Sequence, residues 1–187
     1  MWEDMTWLHA PPAWSVDDAG LHVTTGERTD FWRETFYGFV RDDGHVFSRA
    51  VTGDFTAEVT IAGAYEALYD QCGLMVRSGA EHWVKAGVEF TDGLAHVSTV
   101  VTNGRSDWSV VPAPEARETV TLRVTRHGNA LRVQYLRDGA WQLTRLAYVD
   151  LPDSVDVGVM ACSPERAGFR ASFTDFSIGA PISRDLH

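Results

Sequence analysis

Apolar and polar side chains alternate at a period of two along most of the chain, with Gly, Asp and Asn punctuating the runs. In residues 55–61, Phe55, Ala57, Val59 and Ile61 share one face, while Thr56, Glu58 and Thr60 share the other. Successive strand side chains point to opposite faces, so this pattern specifies a sheet with one buried and one solvated side. Residues 119–126 repeat it, and residues 131–135 follow after His127-Gly128-Asn129, which predicts a hairpin. Arg137-Asp138-Gly139-Ala140 turns the chain again before residues 141–145, giving three strands in meander order.

Further strands are expected at 20–24, 45–51, 73–77, 83–90, 95–101, 155–161 and 168–178. The turns between them are Asp42-Asp43-Gly44, Thr52-Gly53-Asp54, Ser78-Gly79-Ala80, Asp92-Gly93 and Asn103-Gly104. Strands at intervals of roughly 10 residues with such turns specify a sandwich or barrel. Residues 63–69 are the most helix-like window, and they are too short to be more than a loop with a helical turn. Pro112-Ala113-Pro114-Glu115 predicts a crossover between sheets. Trp7, Trp14, Leu21 and Val23 near the start, and Phe169, Phe173, Phe176 and Ile178 near the finish, are expected in the core. Trp141 is expected to be structural, and residues 180–187 to form a loosely held tail. At 187 residues the expectation is one domain, 1–187, large enough to bury a core without metals or disulfides.

The net charge of −10, with Lys85 the sole lysine, argues against nucleic acid and anionic membrane surfaces as partners. Residues 1–5 lack the basic and apolar segments of a signal peptide, and no window has the roughly 18 apolar residues of a membrane helix. A cytoplasmic protein with Cys72 and Cys162 as buried free thiols is the expectation. The seven histidines, at 9, 22, 45, 82, 96, 127 and 187, show no ligand spacing, and neither cysteine has a CxxC partner, so no metal or cofactor is expected. Nucleophile elbows and phosphate-cradling glycine loops are missing too.

Residues 83–90 are the least ordinary strand. Alternation puts Val84, Ala86, Val88 and Phe90 on a core face, leaving Trp83, Lys85, Gly87 and Glu89 on the other. Lys85 and Glu89 are four apart, about 13 Å along a strand, so they are expected to reach opposite ends of one ligand rather than each other.

Five motifs in order carry a resemblance: Asp30-Phe31-Trp32, Tyr69-Asp70-Gln71-Cys72-Gly73-Leu74, Trp83-Val84-Lys85-Ala86-Gly87-Val88-Glu89, Ser106-Asp107-Trp108-Ser109 and Ser163-Pro164. The chain resembles an uncharacterised concanavalin-A-like jelly-roll family of bacteria and fungi, one of whose fungal members is named for regulation of enolase. It also resembles accessory domains that follow family-43 xylosidase modules. The resemblance implies an all-β, two-sheet antiparallel sandwich with a curved face. It implies no reaction, because the family has no established one.

A site on the concave sheet is expected to bind a carbohydrate or similar small polar ligand. Trp32, Trp83 and Trp108, with Tyr69, would stack on it; Asp30, Asp70, Gln71, Lys85, Glu89 and Asp107 would hydrogen-bond it. The alternative is a glycoside-processing enzyme using Glu89 with Asp70 or Asp107, which needs carboxyls about 5–9 Å apart across one cleft. Asp70 and Asp107 read more readily as residues that brace loops or cap turns. Arg166, in the turn after Ser163-Pro164, is a candidate for an anionic group. A regulatory domain with a protein partner is the third reading, resting on the fungal relative's name.

Overall fold

A computed structural model describes residues 2–186, so Met1 and His187 lie outside it. The first strands are β1 (Thr6–Leu8), β2 (Ala13–Asp17), β3 (Gly20–Thr24), β4 (Phe31–Arg33), β5 (Val40–Asp42) and β6 (His45–Thr52). Next come β7 (Phe55–Gly63), β8 (Gln71–Arg77), β9 (His82–Thr91), β10 (Leu94–Asn103) and β11 (Arg105–Pro112). The last are β12 (Val120–His127), β13 (Ala130–Arg137), β14 (Ala140–Tyr148), β15 (Ser154–Cys162) and β16 (Arg170–Gly179).

Two seven-stranded antiparallel sheets form a concanavalin-A-like sandwich. The first has the order β1-β6-β15-β8-β9-β10-β11, and the second β14-β13-β12-β7-β16-β3-β2. Strands β4 and β5 make a separate ribbon. The expected meander is β12, β13 and β14, paired in sequence. Asp138-Gly139 joins β13 to β14, and Asp92-Gly93 joins β9 to β10. Both residues of each pair have positive φ, at 51° and 76° and at 53° and 75°. That is the geometry a two-residue hairpin of matching twist needs, and Asp-Gly supplies it cheaply. The Pro-rich segment crosses between sheets as expected, through the 3₁₀ turn Pro114–Arg117.

Alternation sorts the core. Val59 and Ile61 of β7, Leu122 and Val124 of β12, and Val84, Ala86 and Val88 of β9 meet between the sheets. A second, smaller apolar cluster forms on the far side of the first sheet: Phe31, Val46, Met75, Trp83, Val100, Met160 and Cys162. The first sheet is therefore apolar on both faces where the ribbon covers it. Cys72 and Cys162 lie on neighbouring strands yet belong to different clusters, and both are buried free thiols. His45 is held as one tautomer: its Nδ1–H donates to the His9 carbonyl (2.6 Å), and its Nε2 accepts from the Gly26 amide (2.9 Å). Burial pushes its pKa down.

Three expectations are corrected. Trp14 is not fully buried: it is 48% exposed because β2 is the edge strand of its sheet, so the ring leans on Trp7 and Phe47 only at the margin of the core. The tail is not loose through Asp185. The Arg132 guanidinium donates to the Ser183 and Asp185 carbonyls (both 2.7 Å), and the Ile182 amide donates to Thr56 Oγ1 (3.0 Å). Strands β1, β2, β4, β5 and β11 were not expected. The ribbon strands and β1 have three residues each, too few to display a period. In β11, polar Ser106, Asp107 and Ser109 interrupt the apolar pattern because this is the edge of the first sheet.

Candidate functional site

The outward side of β9 faces away from the second sheet and carries Trp83, Lys85 and Glu89, as alternation requires. Neighbouring strands add Gln71 from β8, Ser98 and Val100 from β10, and Trp108 from β11. Unlike an ordinary outer face, this one is largely covered: Lys85 is 4% exposed and Glu89 5%. The ribbon and its tip, residues 34–39, make the difference. Phe31 packs edge-on against Trp83 at 5.9 Å between ring centres. Asp42 accepts two hydrogen bonds from Arg77, each 2.7 Å, and Arg33 bonds the Gly104 carbonyl and Ser106 Oγ.

Between ribbon and sheet lies a cavity of about 220 Å³, lined by Asp30, Trp32, Tyr37, Phe39, Tyr69, Gln71, Lys85, Glu89, Val100, Trp108, Pro164 and Glu165. That is the scale of a single small ring rather than of an extended chain. The walls are aromatic and the floor is charged. Lys85 Nζ lies 3.2 Å from Asp30 Oδ1, which also accepts from the Phe31 amide at 2.7 Å. Glu89 Oε2 accepts from Ser98 Oγ (2.7 Å) and from the Trp108 indole (3.1 Å). Burial pushes Lys85 toward neutrality, but Asp30, the Cys162 sulfur and Glu89 outweigh it and hold its pKa above the ordinary value. For Glu89, burial wins over the pull of Lys85 and Ser98, and its pKa is raised. At the mouth, Tyr37 and Tyr69 hydroxyls stand 3.5 Å apart, and this contact, with burial, pushes Tyr69 up to about 12.

Of the expected site residues, Asp30, Trp32, Tyr69, Gln71, Lys85, Glu89 and Trp108 converge on this cavity. Lys85 and Glu89 form no direct ion pair. Three expected residues do not line it. Trp83 is 1% exposed beneath the ribbon, and its indole N–H donates to the Ala80 carbonyl, so it offers no stacking surface. Asp107 points to solvent and pairs with Arg145 at 2.9 Å. Asp70 is fully buried and occupied by the Glu66 and Ala67 amides, Ser163 Oγ and Arg166. This corrects Arg166 as well: its guanidinium is engaged by Asp70 and Glu66, and of its turn only Pro164 and Glu165 reach the cavity.

Tyr37, Phe39, Val100, Pro164 and Glu165 are lining residues that sequence reasoning missed. The dense aromatic run Phe36-Tyr37-Gly38-Phe39, so close to Asp30-Phe31-Trp32, is the signal for the first two. Among the described residues no group of three or more His, Cys, Asp or Glu side chains suits a metal ion. A larger groove of about 550 Å³ lies across β2, β3, β16 and β7 on the second sheet's outer face. It is shallow and open, and His22 is already bonded to Ser172 and Asp17 there, so the smaller, more sheltered cavity is the better candidate.

Fold and cavity together define a class: a concanavalin-A-like β-sandwich with an aromatic-walled, charge-floored cavity beneath a ribbon. Residues 7–181 match the family described as "Protein of unknown function (DUF1349)", and the chain belongs to that family. It is 45% identical over 183 residues to "Regulation of enolase protein 1" of Saccharomyces cerevisiae, covering 97% of this chain and 92% of the relative. A crystal structure of a functionally unknown protein from Saccharomyces cerevisiae superposes with a TM-score of 0.93, at 44% identity, over 97% of this chain and 99% of that one. More distant likenesses show the fold alone. The carbohydrate binding module CBM66 of Bacillus subtilis has a TM-score of 0.63 at 17% identity, over 95% and 98% of the two chains. The Bacteroides ovatus protein GH43B has a TM-score of 0.75 at 16% identity, and the match covers 95% of this chain but 37% of that one.

Proposed function

We propose that the chain is a binding protein for one small polar ring, a carbohydrate being the best fit, held in the cavity under the ribbon. The observation that carries this is the pairing of aromatic walls with a buried polar floor. A sugar ring has apolar faces that stack on Trp32, Tyr37 and Trp108, and hydroxyls that bond Asp30, Gln71, Lys85 and Glu89. The sandwich shared with a carbohydrate binding module supports the reading. The glycoside-processing alternative has weaker support: Asp70 and Asp107 are committed to Arg166 and Arg145 outside the cavity, and Asp30, the other candidate carboxylate, is paired with Lys85 on the cavity floor.

The test is calorimetric titration and thermal shift with a panel of monosaccharides on wild type, Glu89→Gln and Tyr37→Ala. Each variant removes one buried hydrogen-bonding charge or one wall and should weaken binding by about tenfold or more. A sugar bound equally by all three would remove this cavity as the site.

A further inference from the structure

Among the buried Asp, Glu, Lys and Arg side chains on the outer face of the first sheet, Glu89 alone has no ion pair. Arg77 is paired with Asp42, and Lys85 with Asp30. Glu89, almost as deeply buried, has no cation within 4.0 Å; its two partners, Ser98 and Trp108, are neutral donors and both contact Oε2. Oε1 accepts no hydrogen bond from any described residue, and it is not sealed off, since Glu89 lines the cavity. A buried carboxylate lacking a close counter-ion is costly, and a bound cation would lower that cost.

We infer that the cavity selects a protonated amine at its Glu89 end, which narrows the ligand class to amino sugars with a free ammonium group. The inference rests on the proposed sugar-binding function and deepens it. The surroundings of Glu89 suit a cation. Tyr69 and Trp108 meet edge to face at 6.3 Å beside it, and aromatic faces attract ammonium groups. A hydrogen bond between ionised partners is roughly twice as strong as one from a neutral hydroxyl. The far end fixes the orientation. Lys85 repels an ammonium there, while its Nζ and the free Oδ2 of Asp30 suit ring hydroxyls. Besides Lys85 and Asp30, the titratable groups lining the cavity are Tyr37, Tyr69 and Glu165; His96, the cross-strand partner of Glu89 on β10, is also buried, but its Nδ1 lies against the Leu94 carbonyl and it makes no ion pair with Glu89.

Titration calorimetry at pH 7 decides it, using gluco, galacto and manno sugars, each as the parent, the free amine and the N-acetylated amine. For the stereochemistry that fits, the free amine should bind about tenfold tighter than both neutral forms, and Glu89→Gln should erase the difference. Wild type alone gives a second readout. The preference should vanish in acid, where Glu89 takes a proton, and above the pH at which the sugar's amine loses its own. Equal binding of amine and neutral forms, or a preference that survives Glu89→Gln, overturns the inference and leaves sugar binding standing. Failure of every sugar, charged and neutral, overturns both.

Discussion

Arg166→Ala will cost the fold about 3–5 kcal/mol, the usual penalty for stripping a buried charge of its partner. Asp70 is fully buried, and its oxygens lie 2.6 Å from Arg166 Nη2 and 2.6 Å from Ser163 Oγ. Losing the guanidinium leaves the carboxylate with one hydroxyl and two amides, and frees the loop carbonyl of Ala64 from its bond to Arg166. For a chain of this size the loss corresponds to a melting temperature lower by roughly 6–20 °C. Asp70→Asn should cost less, since it removes the charge and keeps an acceptor for the amides. The pH dependence separates a charge effect from lost packing. Burial alone pushes the Asp70 pKa up, but Arg166, Ser163 and the two amides outweigh it and hold it below the ordinary 3.8. A depressed carboxyl adds stability above its unfolded pKa of about 3.9 and loses it as the pH falls through the folded value. The gap between wild type and Arg166→Ala should therefore narrow below about pH 4. Denaturant titrations showing a gap under about 1 kcal/mol at pH 7, or one that stays constant into acid, would contradict this account.

The second large effect is expected at Gly87. Gly73 and Gly87 are cross-strand partners on β8 and β9. A Cβ on Gly87 would overlap the Cys72 carbonyl oxygen and stand 2.9 Å from Gly73 Cα. The obstacle is backbone, which cannot rotate aside. Overpacking against side chains costs about 1–3 kcal/mol, and Gly87→Ala should reach or exceed the top of that range. Because Gly87 sits between Lys85 and Glu89, strands forced apart there also disturb the cavity floor. Reduced stability together with lost sugar binding is the expected result; an alanine tolerated within about 0.5 kcal/mol would show that the strands can part freely.

The sandwich was legible because each long strand carries its own period, and turns such as Asp92-Gly93 contain the residues their dihedral angles demand. The outer face of β9 was legible for the same reason: Lys85 and Glu89 follow from alternation. What alternation cannot tell is whether an outer face stays wet. That depends on the ribbon of Phe31–Arg33 and Val40–Asp42, whose strands are too short to announce themselves. Trp83 was therefore expected at a surface and lies under a cover. Asp70 shows the complementary limit. Its place in a motif suggested a ligand contact, whereas its loop partners Glu66, Ala67 and Ser163 use every oxygen it has. Only three-dimensional proximity to Arg166, 96 positions away, reveals that.

The two thiols sit back to back across one sheet, and this makes them clocks for different events. Cys72 faces the space between the sheets and becomes reachable only when the sandwich itself comes apart. Cys162 lies in the cluster beneath the ribbon, 3.9 Å from Asp30 Oδ1, so a local lifting of the ribbon bares it. A thiol reagent added under native conditions should mark Cys162 well before Cys72. The rate of that first labelling measures how often the cavity opens, and a bound sugar should slow it while leaving the second rate set by global unfolding.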